Sequence, residues 1–127
     1  MKPYPRLRLL RQSFFAGGMC TIMVAMLACA GRREQAIREH AEQELRNLRS
    51  ALKLYRERIG RYPTASDGLQ ALVTPGILTS LPKDPWGYDY VYTNEKGVLI
   101  LKSFGRDGVR GGTGPDEDIA LEIGPAL

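Results

Sequence analysis

The sequence predicts a small α+β domain in which one long helix lies against a β-hairpin, carried behind a basic and apolar N-terminal segment. Three observations predict it. Residues 32–58 hold an uninterrupted amphipathic pattern, residues 88–104 hold two β-prone runs around a turn, and residues 105–118 form a glycine-rich acidic loop. Of the 127 residues, 1–31 read as an export segment, which leaves 32–127 for a single domain. A chain of that size builds a core only just sufficient to hold it together.

The N-terminus carries Lys2, Arg6, Arg8 and Arg11, and no acid precedes Glu34. The net charge of +4 resides there, because the other 14 basic residues balance the 14 acids. A nucleic-acid-binding domain concentrates its excess positive charge on the folded part, so this distribution argues against that class. Residues 14–31 (FFAGGMCTIMVAMLACAG) follow with 18 uncharged positions. A basic stretch and an apolar stretch in that order are the parts of a secretory signal. The basic side stays cytoplasmic, which places everything after Arg32 on the outer side. As a helix, the run reaches about 27 Å, roughly the thickness of a hydrocarbon core, so a single membrane span is one reading. Met26-Leu27-Ala28-Cys29 supports another: a small residue before a cysteine at the end of an apolar run resembles a lipoprotein signal, whose cleavage leaves a lipidated Cys29. Both readings export the domain and tether it to a membrane.

The helix comes next. Ile37, Ala41, Leu45, Leu48, Leu52, Tyr55 and Ile59 recur at spacings of four and three, one continuous apolar stripe. Arg38, Glu42, Arg46, Arg49, Lys53 and Arg56 fill the opposite face, no proline interrupts, and Gly60 supplies the stop. His40, the one histidine, lies among charged residues and reads as a solvated surface group.

Beyond Gly60 the chain turns at Tyr62-Pro63-Thr64, and Ser66 or Asp67 is placed to cap a short helix over residues 68–73. Pro75-Gly76 ends that helix, and Leu81-Pro82-Lys83-Asp84-Pro85-Trp86-Gly87 is too rich in proline for a central strand. Residues 88–93 and 98–104 are the two strands, joined through Asn94-Glu95-Lys96-Gly97, with Gly97 suited to a positive φ. Tyr88, Tyr90 and Tyr92 share one strand face. An isolated hairpin is marginal in water, so one face must cover the helix. The expected contact set is Leu48, Leu52 and Tyr55 under the hairpin.

The chemistry concentrates in residues 105–118, GRDGVRGGTGPDED. Asp107, Asp116 and Asp118 stand on a loop with glycines that let it wrap tightly. Calcium takes six to eight oxygen ligands in flexible geometry, which carboxylates and carbonyls of such a loop can supply. The other reading is a solvated acidic turn in which Arg106 and Arg110 pair with the aspartates. An enzyme is disfavoured, since no nucleophile or histidine accompanies the carboxylates and GGTG leads into no helix that would cradle a phosphate. Both cysteines, Cys20 and Cys29, fall in the apolar segment, so no disulfide framework is expected in the domain.

In unbroken order, LRSALKLY (48–55), GRYPT (60–64), GLQAL (68–72), LPKDPWG (81–87) and the loop of residues 103–119 resemble the globular half of the major pseudopilin of bacterial type II secretion, the G subunit of the general secretion pathway. The resemblance implies a long N-terminal helix packed on a small antiparallel sheet, and a calcium ion held by Asp107, Asp116 and Asp118. It implies a structural, non-enzymatic role beside other pseudopilin or secretion-system subunits, in which helices stack into a short periplasmic fibre. The chain departs from the family at its start. Ser13-Phe14-Phe15-Ala16-Gly17-Gly18 lacks the glycine–phenylalanine processing site, and the early glutamate of the family's apolar helix has no counterpart before Glu34. Two roles therefore stay open: a subunit that stacks with others into a homo-oligomer or fibre, and a lipid-anchored calcium-binding module that reuses the domain to bind a partner without a fibre.

Overall fold

The computed structural model describes residues 17–126, which divide into two units between Arg32 and Arg33. In the first, residues from Gly17 onward are helical, and Met23, Met26, Leu27 and Cys29 are exposed. Among the described residues no helix is long and apolar enough to cross a membrane. The basic residues from Lys2 to Arg11, and Phe14, Phe15 and Ala16 at the head of the apolar run, lie outside the described residues.

The second unit holds the rest of helix α1 (Gly17–Ile59) and a three-stranded antiparallel sheet, β1 (Val91–Glu95), β2 (Val98–Ser103) and β3 (Ile119–Pro125), in the order β1-β2-β3. The apolar stripe of α1 is buried as its spacing requires: Ala41, Leu45, Leu48, Leu52 and Tyr55 all belong to one core cluster with Tyr90, Tyr92, Leu99, Leu101 and Ile119. Ala51, between two stripe positions, joins them and widens the buried face. The stripe stops one turn before its expected end. Ile59 is 49% exposed, because the chain reverses at Gly60, whose φ of 88° and N–H bond to the Arg56 carbonyl close the helix. On the outer face Arg38, Glu42 and Arg46 form i,i+4 ion pairs in solvent, which contribute little.

The segment after Gly60 corrects one expectation. Residues Leu69–Leu72 form a 3-10 helix, but neither Ser66 nor Asp67 caps it; Gly68 stands at its start with no side-chain bond. The Asp67 carboxylate accepts from the Thr64 N–H and the Thr64 hydroxyl accepts from the Asp67 N–H, at 3.0 and 3.1 Å, so the two side chains tie off the preceding turn instead. Leu69 and Leu72 point into the core. Tyr92 pins this segment to the sheet by donating its buried hydroxyl to the Pro63 carbonyl at 2.9 Å. Burial, with smaller effects from Tyr62, Asp67 and Tyr55, pushes the Tyr92 phenol up to about 12. A raised folded value means that this contribution is complete below the ordinary tyrosine range near pH 10 and is lost as pH rises through about 12.

The hairpin turn is tighter than the sequence indicated. Asn94 and Glu95 belong to β1, and only Lys96 and Gly97 turn, with φ of 53° and 84°. Two positive φ values match the right-handed twist of the flanking strands, and the Asn94 side-chain oxygen accepts the Gly97 N–H. At the other end β1 starts at Val91; Tyr90 and Tyr92 are buried, while Tyr88 is 43% exposed. The last strand runs beyond the short apolar run at 119–121, with a bulge opposite Leu99 and Ile100.

Candidate functional site

Residues 104–118 link β2 to β3, whose ends are held together by the Ser103–Ile119 pairing. The loop therefore leaves and re-enters the sheet side by side. Backbone bonds fold it inward, among them Arg106 N–H to the Pro115 carbonyl, Asp118 N–H to the Gly111 carbonyl and Glu117 N–H to the Gly114 carbonyl, at 3.1, 3.2 and 3.2 Å. Glycine is required where the strands of the loop touch. A Cβ on Gly112, whose φ is 82°, would overlap the Asp116 carbonyl oxygen, and one on Gly105 would stand 2.9 Å from the Asp116 carbonyl carbon.

Each predicted ligand has a place in this wrap. Asp107 turns back on its own backbone, accepting the Val109 N–H at 3.0 Å. Asp118 accepts the Gly111 N–H at 2.9 Å, so that Gly111 and Asp118 clasp each other through backbone and side chain. Asp116 meets Arg106, with Nε on Oδ1 at 2.9 Å and Nη2 on Oδ2 at 3.3 Å. Arg106 thus chooses Asp116 over its sequence neighbour Asp107. The donors are all oxygen, with no nitrogen or sulfur ligand, and that chemistry fits a hard cation such as calcium. Among the described residues, however, no three Asp, Glu, His or Cys side chains are gathered as a metal-holding group.

Two residues that sequence reasoning did not single out shape the site. Arg38, on the polar face of α1, reaches the loop across 76 positions: its Nη1 lies 3.5 and 3.4 Å from the Gly114 and Glu117 carbonyls, and its Nη2 lies 3.6 Å from the Glu117 carboxylate. No local signal distinguishes Arg38 from the other arginines of that face. Asp84 anchors the other flank. It is 4% exposed, accepts the Trp86 and Tyr88 N–H groups through Oδ1, and accepts the Ser103 hydroxyl at 2.7 Å through Oδ2. Ser103 in turn accepts the Gly105 N–H, so the proline-rich turn and the first residue of the loop share one buried polar chain. An aspartate followed by proline is a turn signal that could have marked it.

A sequence model of the family described as "Type II secretion system (T2SS), protein G" matches residues 28–122 of this chain. The chain belongs to that family. Among curated relatives, the type II secretion system core protein G of Vibrio cholerae is 37% identical over 103 residues, covering 70% of each chain. That of Klebsiella michiganensis is 36% identical over 104 residues, covering 70% of this chain and 71% of the relative. A crystal structure of the major pseudopilin from the type 2 secretion system of enterohaemorrhagic Escherichia coli superposes with a TM-score of 0.62 at 33% identity, covering 72% of this chain and 90% of that one. The fold shared with the family is the one described above, a long N-terminal helix on a three-stranded antiparallel sheet. The family match begins at Ala28, after most of the apolar run.

Proposed function

We propose that this chain is a structural, non-enzymatic pseudopilin-type component of the type II protein secretion system, working on the periplasmic side and tethered to the membrane by its N-terminal segment. The observation that carries this reading is the family match over residues 28–122, which takes in the Arg33–Leu127 unit up to the middle of β3. The geometry accords with it: the carboxylates of the loop bond backbone N–H groups and an arginine, which organises a surface. Its partners on this reading are other secretion-system subunits or further copies of the chain.

The tether is tested by membrane fractionation of the full chain, followed by protease shaving from the periplasmic side. The domain is expected in the membrane fraction and accessible to protease; recovery as a cytosolic protein would refute the placement. Cys29→Ser, with lipid labelling, then separates a lipid tether, which loses its label, from an intact span, which never carries one.

We propose also that the loop takes calcium through Asp107, Asp116 and Asp118. The ion would supply the positive charge that lets the carboxylates crowd together, offsetting the conformational entropy lost in ordering a glycine-rich segment. A ligand at one hundred times its Kd stabilises the native state by about 2.7 kcal/mol. Calcium should accordingly raise the melting temperature over that in EDTA, and EDTA should render the 105–118 loop sensitive to protease while α1 persists. Coincident melts in the two conditions would remove the metal.

A further inference from the structure

The sheet order β1-β2-β3 leaves β3 with one unpaired edge, and the register says which groups stand on it. Main-chain groups alternate in direction along a strand, so a residue that bonds one neighbour turns its successor to the other side. Counted from the two-residue turn at Lys96 and Gly97, Ile100 and Lys102 bond β1, while Leu101 and Ser103 bond β3 at Leu121 and Ile119. The N–H and carbonyl groups of Ala120 and Glu122 therefore face outward, and among the described residues no backbone bond takes them up. Natural edges are blunted by proline or clustered charge, but residues 119–122 hold no proline and one charge, Glu122. Between β3 and α1 lies a groove of about 340 Å³, lined by Arg38, Glu42, Leu45 and Arg46 on the helix and by Asp118 to Leu121 on the sheet.

We propose that β3 pairs antiparallel with β3 of a second copy of the chain, about a two-fold axis through Leu121, so that two three-stranded sheets become one. In that register Ala120 of each copy bonds Glu122 of the other, and all the outward groups of both residues are used. Centring the pair on Ala120 would set Glu122 opposite Asp118, and centring it on Glu122 would set that residue opposite itself, like charges in both cases. The favoured register brings Asp118 of the second copy opposite Gly124. Arg38 meets the Glu117 carbonyl and Arg46 shares the groove with Leu121, so α1 and β3 advance in the same direction. From Leu121 to Gly124 is about 10 Å of strand, which equals roughly seven residues of helix and leads from Arg46 to Lys53. Arg49 and Lys53 continue the flank of Arg46 at spacings of three and four, and neither has an ion pair among the described residues. Two free cations thus stand beside the place where Asp116-Glu117-Asp118 of the second copy enters the edge, and the two-fold axis repeats the match. The contact deepens the reading above and rests on it in taking a further copy as partner; a chain that stays unpaired at β3 leaves the secretion role standing.

The experiment uses the full chain in detergent, with Cys20→Ser and Cys29→Ser, carrying Leu121→Cys. Leu121 and its counterpart form a non-hydrogen-bonded pair about 4.5 Å apart between Cα atoms, within reach of a disulfide. Mild oxidation should give a disulfide-linked dimer, while Thr113→Cys, exposed on the loop and held in the same micelles, should stay monomeric. Adding Ala120→Pro removes an outward N–H and leaves the β2–β3 bonds in place, so it should abolish the dimer at an unchanged urea midpoint. Arg49→Glu with Lys53→Glu, which spares the backbone, should lower the dimer yield several-fold; where the proline lowers the midpoint, this variant decides. No dimer in Leu121→Cys, or as much in Thr113→Cys, overturns the contact. A dimer that survives Ala120→Pro overturns edge pairing, and one indifferent to Arg49→Glu with Lys53→Glu overturns the charge match.

Discussion

Asp84→Ala is expected to cost the folded domain about 3–5 kcal/mol. The carboxylate is 4% exposed and accepts three hydrogen bonds, from the Trp86 and Tyr88 N–H groups at 3.1 and 2.8 Å and from the Ser103 hydroxyl at 2.7 Å. Hydrogen bonds to a charged group are worth about 1.5–3 kcal/mol each, and truncation leaves buried donors without partners, which costs more than the bonds alone. The loss propagates. Ser103 would no longer be fixed from below as it accepts the Gly105 N–H, so the start of the loop should loosen together with the proline-rich turn. Asp84→Asn should recover part of the loss, because its amide oxygen can still accept the two N–H groups. Urea denaturation of the three proteins measures this; an Asp84→Ala midpoint equal to that of wild type would show that the buried polar chain does not hold the sheet to the turn.

Leu52→Ala should cost about 2–5 kcal/mol, the range for emptying a buried leucine site. Leu52 is fully buried, in one cluster with Leu48 and Tyr55 of α1 and Leu99 and Leu101 of β2. Rigid strands on one side and a helix on the other leave little freedom to collapse onto the void, which puts the effect in the upper half of that range. Leu54, two positions on and 38% exposed, supplies the contrast: its truncation should move stability by no more than about 0.5 kcal/mol. Comparable losses at both positions, read from urea midpoints at unchanged slope, would contradict the assignment of the buried face.

The helix was legible because its information is local. Spacings of three and four from Ala41 to Tyr55 have a single geometric meaning, and burial follows it residue for residue. It failed at Ile59, where an apolar residue in the right register has no partner because the chain reverses at Gly60. The hairpin was legible from Gly97, but the turn's true length was hidden by Lys96, since a lysine gives no warning that it will take a positive φ. The three aspartates were visible as a group; their first partners were not. Those partners lie at separations from 2 residues, for Asp107 and Val109, to 10, for Arg106 and Asp116, and a glycine-rich loop can return on itself in many ways. Arg38 was out of reach altogether, because its role depends on how the sheet brings the loop back over the helix. Kinship supplied what local chemistry could not, and it did so through segments such as LPKDPWG, whose central aspartate is the buried organiser of the domain.

The central claim is that this chain works as a structural part of type II secretion, and partition of a type II-exported protein between periplasm and medium tests it most directly. In the organism that carries the chain, its deletion should leave the exported protein trapped in the periplasm. Wild-type complementation should return it to the medium, and complementation with Asp84→Ala should not. An exported protein that reaches the medium unchanged in the deletion strain would contradict the account.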